Sequence, residues 1–295
     1  MATKVSHTSE SSAAQRAMHT LYAHPPKIFE DPYALELAGP RWKRLLSSRP
    51  IAWLLDRWLL RWTKPMMALH VARARYTEDC VDAALESGLA HYVILGAGMD
   101  SFSLRRLDLD GTLTVFEVDL PGTQAAKRAR LAECGLSEPP HTRYVPVDFE
   151  TDSLVESLLA AGLDREAPTL FSWLGVQPYL TRDAIANTLG AAAELSAPGS
   201  EFICDIMDHR ALNEGMTYVP MKRTVEFSTK RGEPFVTGLE PAEFEEILAR
   251  AGWEVAELLD AEAQEARWFA ERKDGLTALK YFYIVRARFA VRAQS

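Results

Sequence analysis

Five short apolar runs alternate with helical stretches through the middle of the chain, and this alternation restricts the fold more than any other feature of the sequence. The runs are HYVIL (91–95), TLTVFEV (112–118), TRYVPV (142–147), TLFSWL (169–174) and EFICDIM (201–207). Because a helix fits between each run and the next, the runs can pair as parallel strands through right-handed crossovers. The pattern therefore predicts an open α/β sheet.

The C-terminal third of the chain extends this sheet. A helix is predicted over residues 241–251, closed by Gly252, and a strand over residues 253–259. The last run, YFYIVRARFAV at 281–291, alternates in a way that indicates a final strand with one wetter face. We therefore predict a Rossmann-like sheet of about seven strands, mostly parallel with an antiparallel last strand, flanked by helices.

Composition and charge narrow the class of protein. With 295 residues, 47% of them hydrophobic and 25% charged, the chain suits a globular protein with a sizeable core. The net charge of −8 argues against a nucleic-acid partner, which would need a basic face. Three widely spaced cysteines suggest neither a disulfide nor a metal site, and no apolar stretch is long enough to cross a membrane. We expect a soluble, cytoplasmic protein with no metal and no membrane partner.

The chain divides into an extension and a main domain. Residues 1–88 are predicted to be helical, with a helix start at Asp31, a break at 39–40 and a helix over residues 70–87 that ends at Gly88. Residues 89–295 are predicted to form the Rossmann-like domain, interrupted at 208–238 by an irregular insertion. We expect the extension and the insertion to form a lid.

A tryptophan-rich segment lies within the extension. Residues 51–62, IAWLLDRWLLRW, contain three tryptophans. Such a helix could line a substrate entrance or contact a membrane surface. It could equally pack on the core or against a second subunit, so a homodimer remains open.

The first strand runs into a glycine-containing turn. In the stretch VILGAGMDS (93–101), Gly96 and Gly98 allow the backbone to bend tightly and to approach a ligand, whose polar groups can meet free N–H groups at the start of the next helix. The turn suits a nucleotide-like ligand, although a G-x-G pair alone is also compatible with a purely structural turn.

Two acids follow the glycine turn at the end of the second strand. Asp119 lies about twenty residues past the glycines, where a carboxylate can accept hydrogen bonds from both hydroxyls of a ribose. Glu117 shares the same face of the strand, because strand side chains repeat every second residue. It is either a helper of Asp119 or the partner of a salt bridge.

The third and fourth strands end in further candidates. Asp148 and Phe149 could bind an adenine ring through its exocyclic amine and its face, although Asp148 could instead cap a helix over residues 153–161. After the fourth strand, Trp173, Leu174 and Tyr179 could surround a sulfonium, its methyl group or an acceptor. Core packing of Trp173 is an equal alternative, and Tyr179 could simply open the next helix.

These stretches together resemble the class I S-adenosylmethionine-dependent methyltransferases related to leucine carboxyl methyltransferase, including the bacterial branch that methylates natural-product acids. The matching stretches run in order over about 110 residues: ARARY (72–76), LGAGMDSFSLR (95–105), FEVDLPGTQAAKRARL (116–131), VPVDF (145–149) and WLGVQPYLT (173–181). The segment DPYA (31–34) is also similar to the N-terminal helical region of that family.

The resemblance implies a role for individual residues. The glycine turn with Ala97 would border the methionine part of S-adenosylmethionine, Asp119 with Leu120 would bind the ribose, and Asp148 with Phe149 the adenine. Arg73, or Arg75 if the alignment slips, would pair with the cofactor carboxylate. Trp173 and Leu174 complete the implied cofactor set. The eukaryotic members have a glutamate where this chain has Leu174, which puts a protein C-terminal leucine in doubt as the substrate and favours a small molecule.

The expected reaction is an in-line methyl transfer to oxygen, for which the protein aligns the reactants and excludes water. A carboxylate acceptor is already ionised near pH 7 and needs no general base. Candidate catalytic residues are Tyr179, His19 and His209, and candidate substrate contacts are Arg16, Tyr22 and Tyr218. We expect O-methylation of a small-molecule carboxylate in secondary metabolism. The alternatives are a hydroxyl acceptor, an NAD-dependent oxidoreductase, or a non-catalytic module that binds S-adenosylmethionine.

Overall fold

The computed structural model describes residues 8–59 and 61–290, and in these residues seven strands form one sheet. The strands are β1 (His91–Leu95), β2 (Thr114–Asp119), β3 (Thr142–Pro146), β4 (Thr169–Trp173), β5 (Glu201–Met207), β6 (Trp253–Leu259) and β7 (Phe282–Phe289). Their order is β3-β2-β1-β4-β5-β7-β6. The first five strands pair in parallel, and β7 runs antiparallel to both β5 and β6. The predicted sheet is confirmed, although the last strand was predicted to run to residue 291, which lies outside the described residues.

Helices surround the sheet. The α-helices of the described residues are α1 (Thr8–Tyr22), α2 (Ala34–Leu37), α3 (Pro40–Leu46), α4 (Arg49–Leu54), α5 (Lys64–Glu86), α6 (Phe102–Arg105), α7 (Pro121–Glu133), α8 (Leu154–Ala160), α9 (Arg182–Glu194), α10 (Val219–Thr229), α11 (Pro241–Ala251) and α12 (Ala261–Gln264). Short 3-10 or π turns connect several of them. Gly252 ends α11 in the predicted left-handed conformation, with φ 95°.

The two faces of the sheet pack against separate apolar layers. Alternation along β1 sends Tyr92 and Ile94 into one cluster, with side chains of α1 and α5, and sends Val93 and Leu95 into the other, with α8, α9 and α11. A strand buried on both faces reads as a continuous apolar run, which is why β1 and β4 stand out in the sequence.

The N-terminal helices differ in part from the prediction. Helix α5 begins at Lys64, one and a half turns before the predicted start, and ends at Glu86, two residues before Gly88. Asp31 is fully buried beside Arg16, and α2 begins only at Ala34. The pairing of Asp31 with a residue fifteen positions earlier is tertiary, so a local helix-start pattern could not reveal it.

The segment 208–238, predicted to be irregular with a little helix, is more helical than expected. It contains two 3-10 turns, His209–Leu212 and Glu214–Thr217, followed by α10. The backbone N–H of Leu239 donates to the carbonyl of Met207 at 2.8 Å, so the two ends of the insertion meet at the end of β5. The insertion therefore returns to the carboxyl end of β5, above the strand ends that carry the site.

The tryptophan-rich segment does not form one buried helix. Helix α4 is followed by a π turn over Leu55–Leu59 and a 3-10 turn over Arg61–Thr63. Trp53 and Trp58 are largely exposed, so packing of these two rings on the core is excluded. Within residues 8–59 and 61–290, none of the helices combines the length and apolar character needed to cross a bilayer.

Candidate active site

A cavity of about 490 Å³ lies over the carboxyl ends of the parallel strands. Its floor is formed by residues that follow β1, β2, β3 and β4, where an open α/β sheet usually binds its ligand. Its walls come from α1, α5 and the insertion. The cavity is large enough for a small molecule of cofactor size, which is consistent with ordinary ligand pockets.

The glycine turn is shaped by backbone contacts and crowding. Gly96 and Gly98 have φ of 69° and 49°, and the N–H groups of Gly96 and Ala97 donate to the carbonyl of Val118 on β2 at 2.8 and 3.0 Å. A Cβ atom on Gly96 would lie 2.2 Å from Val176, and one on Gly98 would lie 2.9 Å from Ser9. Both glycines are therefore required by the fold, and both line the cavity.

Two of the N–H groups at the turn and the start of the next helix already have partners within the protein. Helix α6 has only four residues and begins at Phe102, whose N–H donates to the Asp100 side chain at 2.7 Å. The N–H of Gly98 donates to Asp119 at 2.6 Å. These donors are already engaged by carboxylates of the protein, so they are not free for a ligand.

Asp119 sits at the end of β2, buried against the glycine turn and lining the cavity. One carboxylate oxygen accepts from Gly98, and the other accepts from the N–H of Leu120 at 2.7 Å. Burial raises the pKa of Asp119, while these two hydrogen bonds oppose the increase. Each carboxylate oxygen has a second lone pair, so Asp119 can still accept from a ligand hydroxyl.

Glu117 does not reach the cavity lining. Its carboxylate lies 2.5 Å from the ammonium of Lys127 on α7, and both side chains are buried. Ser103 donates to the other carboxylate oxygen at 3.2 Å. Burial raises the pKa of Glu117, and Lys127 counteracts this effect. The salt-bridge interpretation is therefore the correct one, and the pair fastens α7 to the sheet behind Asp119.

Asp148 and Phe149 both line the cavity after β3. A side-chain oxygen of Asp148 accepts from the N–H of Glu150 at 3.1 Å, which holds the carboxylate at the turn. The alternative role of Asp148 as a helix cap is wrong, because α8 begins at Leu154 and the Ser153 hydroxyl accepts from Glu156 at 3.2 Å.

Arg73 enters the cavity from α5. Its guanidinium donates to the buried Asp205 carboxylate at 2.8 Å, and the other oxygen of Asp205 accepts from the N–H of Gly175 at 2.6 Å. Asp205 thus aligns Arg73 with the turn that follows β4. Arg75, the fallback, pairs with Asp79 one turn along the same helix and does not line the cavity.

The candidate residues at and after the end of β4 divide between the cavity and the core. Leu174 and Tyr179 line the cavity, whereas Trp173 is fully buried among core residues with its ring centroid 6.1 Å from that of Phe202. A direct cofactor contact is therefore wrong for Trp173, whose side chain shares the core face with Phe171. Tyr179 lies in a 3-10 turn before α9, and burial raises the pKa of its phenol.

Both histidines predicted to be catalytic lie outside the cavity lining. His19 is fully buried, its Nε2 accepts from the N–H of Ile28 at 3.2 Å, and burial lowers its pKa to about 4. The His209 ring lies at the surface, 3.3 Å from the carboxylate of Asp208 and 3.6 Å from that of Glu240. Direct catalytic roles do not fit either location.

The three residues predicted to contact the substrate lie in different places. Arg16 lines the cavity, but its guanidinium donates to Asp31 at 2.9 Å and to the carbonyl of Met99 at 2.6 Å. Tyr22 donates to the carbonyl of Leu46, and Tyr218 lies beneath Lys280; neither of these tyrosines lines the cavity. The positions of Tyr22 and Tyr218 therefore argue against substrate contact.

Sequence reasoning missed His70 and Gln15. The Nδ1 atom of His70 lies 3.1 Å from the side-chain oxygen of Gln15, and both residues line the cavity. Burial lowers the pKa of His70 well below its usual value, with further contributions from Arg73 and Arg16. The imidazole is neutral near pH 7, and a proton on Nδ1 leaves Nε2 as an acceptor. The three-residue spacing of His70 and Arg73 on one helix face was the available signal.

The extension and the insertion also contribute apolar side chains to the cavity wall. These side chains include Met18, Trp42, Trp62, Met66, Met67, Phe227, Phe235 and Val236. Polar side chains lie in the same walls, among them Ser9, Ser12 and Gln15 of α1 and Ser228 and Glu233 of the insertion. Such a mixed lining suits a polar cofactor at the strand ends and a second ligand with an apolar part beside it.

Comparison with known proteins identifies the relatives of this chain. A family model described as leucine carboxyl methyltransferase matches residues 9–193. The Bacillus subtilis protein YktD, whose name places it among S-adenosyl-L-methionine-dependent methyltransferases, is 31% identical over 95% of this chain and 96% of its own length. A Mycolicibacterium smegmatis protein named for the same class is 33% identical over 86% of this chain and 85% of its own length.

Solved structures agree on the fold. A Thermobifida fusca protein described as a methyltransferase superposes with a TM-score of 0.57 at 15% identity, covering 95% of this chain and 94% of that one. A Streptomyces avermitilis protein of the DUF574 family gives a TM-score of 0.55 at 15% identity, covering 97% and 98%. The family match spans the glycine turn and the residues that follow β2, β3 and β4. The chain belongs to the leucine carboxyl methyltransferase family.

Proposed function

We propose that this chain transfers the methyl group of S-adenosylmethionine to an oxygen of a small-molecule carboxylate. Membership of the family and the names of the relatives establish a methyltransferase that depends on S-adenosylmethionine, as predicted. The carboxylate acceptor is our proposal. It rests on the groups that face the cavity.

The polar floor of the cavity suits this cofactor. When bound, S-adenosylmethionine supplies an electrophilic methyl group on a sulfonium. Asp119 would accept from the ribose hydroxyls, Asp148 with Phe149 would bind the adenine, and Arg73 would pair with the methionine carboxylate. Helices α1 and α5 and the insertion form the walls around it, which supports a lid role for the extension and the insertion.

The observation that carries the carboxylate acceptor is the state of the imidazole and the phenol that line the cavity. His70 has a pKa far below its usual value, so it is a weak base, and Tyr179 has a raised pKa, so it stays protonated near pH 7. His19 and His209 do not line the cavity. An acceptor that is already ionised needs no proton removed, and alignment with exclusion of water is then sufficient for transfer.

The type of bond formed tests this proposal. The purified chain is incubated with methyl-labelled S-adenosylmethionine and matched acceptor pairs, each an apolar carboxylic acid and the corresponding primary alcohol. We expect label to enter the acids and to be released as methanol by mild alkali, because esters hydrolyse under these conditions and ethers do not. Label that enters the alcohols and resists alkali would refute a carboxylate acceptor.

A hydroxyl acceptor is the second candidate, and the pair of His70 with Gln15 favours it. If the Nδ1–H of His70 donates a hydrogen bond to Gln15, then Nε2 of His70 can accept a hydrogen bond from an alcohol or phenol within the cavity. The low pKa of His70 limits its strength as a base, and for this reason we rank it second.

His70→Gln separates the two candidates, because glutamine keeps a hydrogen-bonding side chain but cannot take a proton. For a carboxylate acceptor we expect kcat to fall by less than about 3-fold, with an unchanged pH profile, since no proton moves. For a hydroxyl acceptor the loss would be about 100-fold or more. Both rates are measured with saturating S-adenosylmethionine, and Gln15→Ala serves as the companion variant.

A further inference from the structure

An unusual group of exposed apolar side chains lies on α4 and the turn that follows it. Ile51, Trp53, Leu54 and Trp58 are 42%, 62%, 46% and 63% exposed, and we call them the tryptophan patch. Large apolar side chains that are exposed together within one short segment commonly mark an interaction site. The patch is distinct from the residues that line the cavity.

The segment that carries the tryptophan patch is rich in positive charge. Five exposed arginines belong to the same stretch of chain and form no ion pair with any residue that the structure describes: Arg41, Arg44, Arg49, Arg57 and Arg61. The acid within this stretch, Asp56, is paired with Lys64 at 3.1 Å. Because the whole chain carries a net charge of −8, this concentration of unpaired cations is a local feature.

We infer that the tryptophan patch and its arginines dock this protein onto the surface of an anionic lipid bilayer. Tryptophan rings favour the boundary between headgroups and acyl chains, and arginines beside them attract anionic headgroups. In a two-fold dimer joined through this face, each copy would present the same cations to the other, and like charges oppose such a contact. The inference differs from the expectation of no membrane partner, which was based on the absence of a spanning segment.

The position of the patch connects docking with the cavity. The same stretch of chain contributes Trp42, Asp56, Trp62 and Thr63 to the cavity wall. Docking would therefore bring this part of the cavity wall, with Trp42 and Trp62, close to the bilayer. This step rests on the proposed function: a cavity close to the bilayer favours an acceptor acid with an apolar portion that partitions into membranes.

Vesicle binding tests the inference without an acceptor. The full chain is sedimented with vesicles of phosphatidylcholine alone and with vesicles of phosphatidylcholine and phosphatidylglycerol in equal parts, at low and at high salt. We expect about 10-fold or tighter binding to the anionic vesicles, weakened by salt, and a blue shift of tryptophan fluorescence on binding. Equal binding to both vesicles, or binding to neither, would overturn the inference.

Two double variants locate the surface. Trp53→Ser with Trp58→Ser and, separately, Arg49→Gln with Arg57→Gln should each reduce binding to anionic vesicles by about 10-fold or more. The matched controls are Leu107→Ser, an exposed apolar residue elsewhere, and Arg250→Gln, an exposed arginine on α11. Controls that weaken binding as much as the patch variants would refute the location, and so would a wild-type dimer that the tryptophan variants dissociate.

Binding of S-adenosylhomocysteine to the same variants separates this inference from the proposed function. Trp53, Trp58, Arg49 and Arg57 do not line the cavity, so we expect its Kd to stay within about 2-fold. A failure of vesicle binding would overturn the membrane surface and leave the proposed methyl transfer standing. A failure of ester formation would overturn the carboxylate acceptor, and vesicle binding would still test the membrane surface.

Discussion

Asp119→Ala is expected to weaken the binding of S-adenosylhomocysteine by about 100-fold or more, because hydrogen bonds to a charged acceptor contribute about 1.5–3 kcal/mol each and two ribose hydroxyls would lose theirs. The buried location of Asp119 strengthens these bonds by excluding competing water. Asp119 also accepts from Gly98 and Leu120, so its loss removes one of the contacts that hold the glycine turn to the end of β2. The lost ribose contacts and the loosened turn both weaken ligand binding.

Isothermal titration with S-adenosylhomocysteine measures this change. Asp108→Ala is the matched control, because Asp108 is an exposed acid that pairs with Arg106 away from the cavity. A comparison of adenosine with 2′-deoxyadenosine sharpens the test. The wild-type chain should prefer adenosine, and Asp119→Ala should lose most of that preference. An unchanged Kd in a folded Asp119→Ala variant would mean that the ribose lies elsewhere.

The sheet and its strand ends were predictable from the sequence because the signals are local. Apolar runs separated by helices define the strands, and the carboxyl ends of neighbouring parallel strands necessarily meet at one edge. Residues at or just after the ends of strands, such as Asp119, Asp148 and Leu174, therefore line the cavity together. Even the core location of Trp173 follows from local geometry, because it alternates in register with the buried Phe171.

The contributions of the N-terminal helices could not be predicted in the same way. Asp205 lies inside an apolar strand rather than at its end, and only the packing of α5 brings Arg73 to it. The pairing of His70 with Gln15 depends on how α1 crosses α5. His19 was a reasonable candidate from its position in the sequence, but its helix face turns it into the core, where Ile28 donates to its ring. Helix-to-sheet placement is set by tertiary packing, which a local pattern does not encode.

The Arg73 and Asp205 pair makes Gly175 a sensitive position. Gly175 has φ 72°, a conformation that costs an L-residue roughly 1–2 kcal/mol. A Cβ atom there would lie 2.7 Å from one guanidinium nitrogen of Arg73 and 2.9 Å from another. Alanine at this position must therefore shift the guanidinium of Arg73, which we propose to pair with the methionine carboxylate.

Gly175→Ala should consequently weaken S-adenosylhomocysteine binding by about 30-fold, since a charge-assisted contact of about 2 kcal/mol is lost. Gly162→Ala is the matched control, because Gly162 has φ 93° with no atom within 4 Å of an added Cβ, so it carries the backbone strain without the clash. The ligand 5′-methylthioadenosine lacks the methionine carboxylate, and its Kd should change by less than about 3-fold in Gly175→Ala. Equal losses for both ligands would place the methionine carboxylate away from Arg73, whereas a loss confined to S-adenosylhomocysteine would assign that contact to the guanidinium that Asp205 aligns.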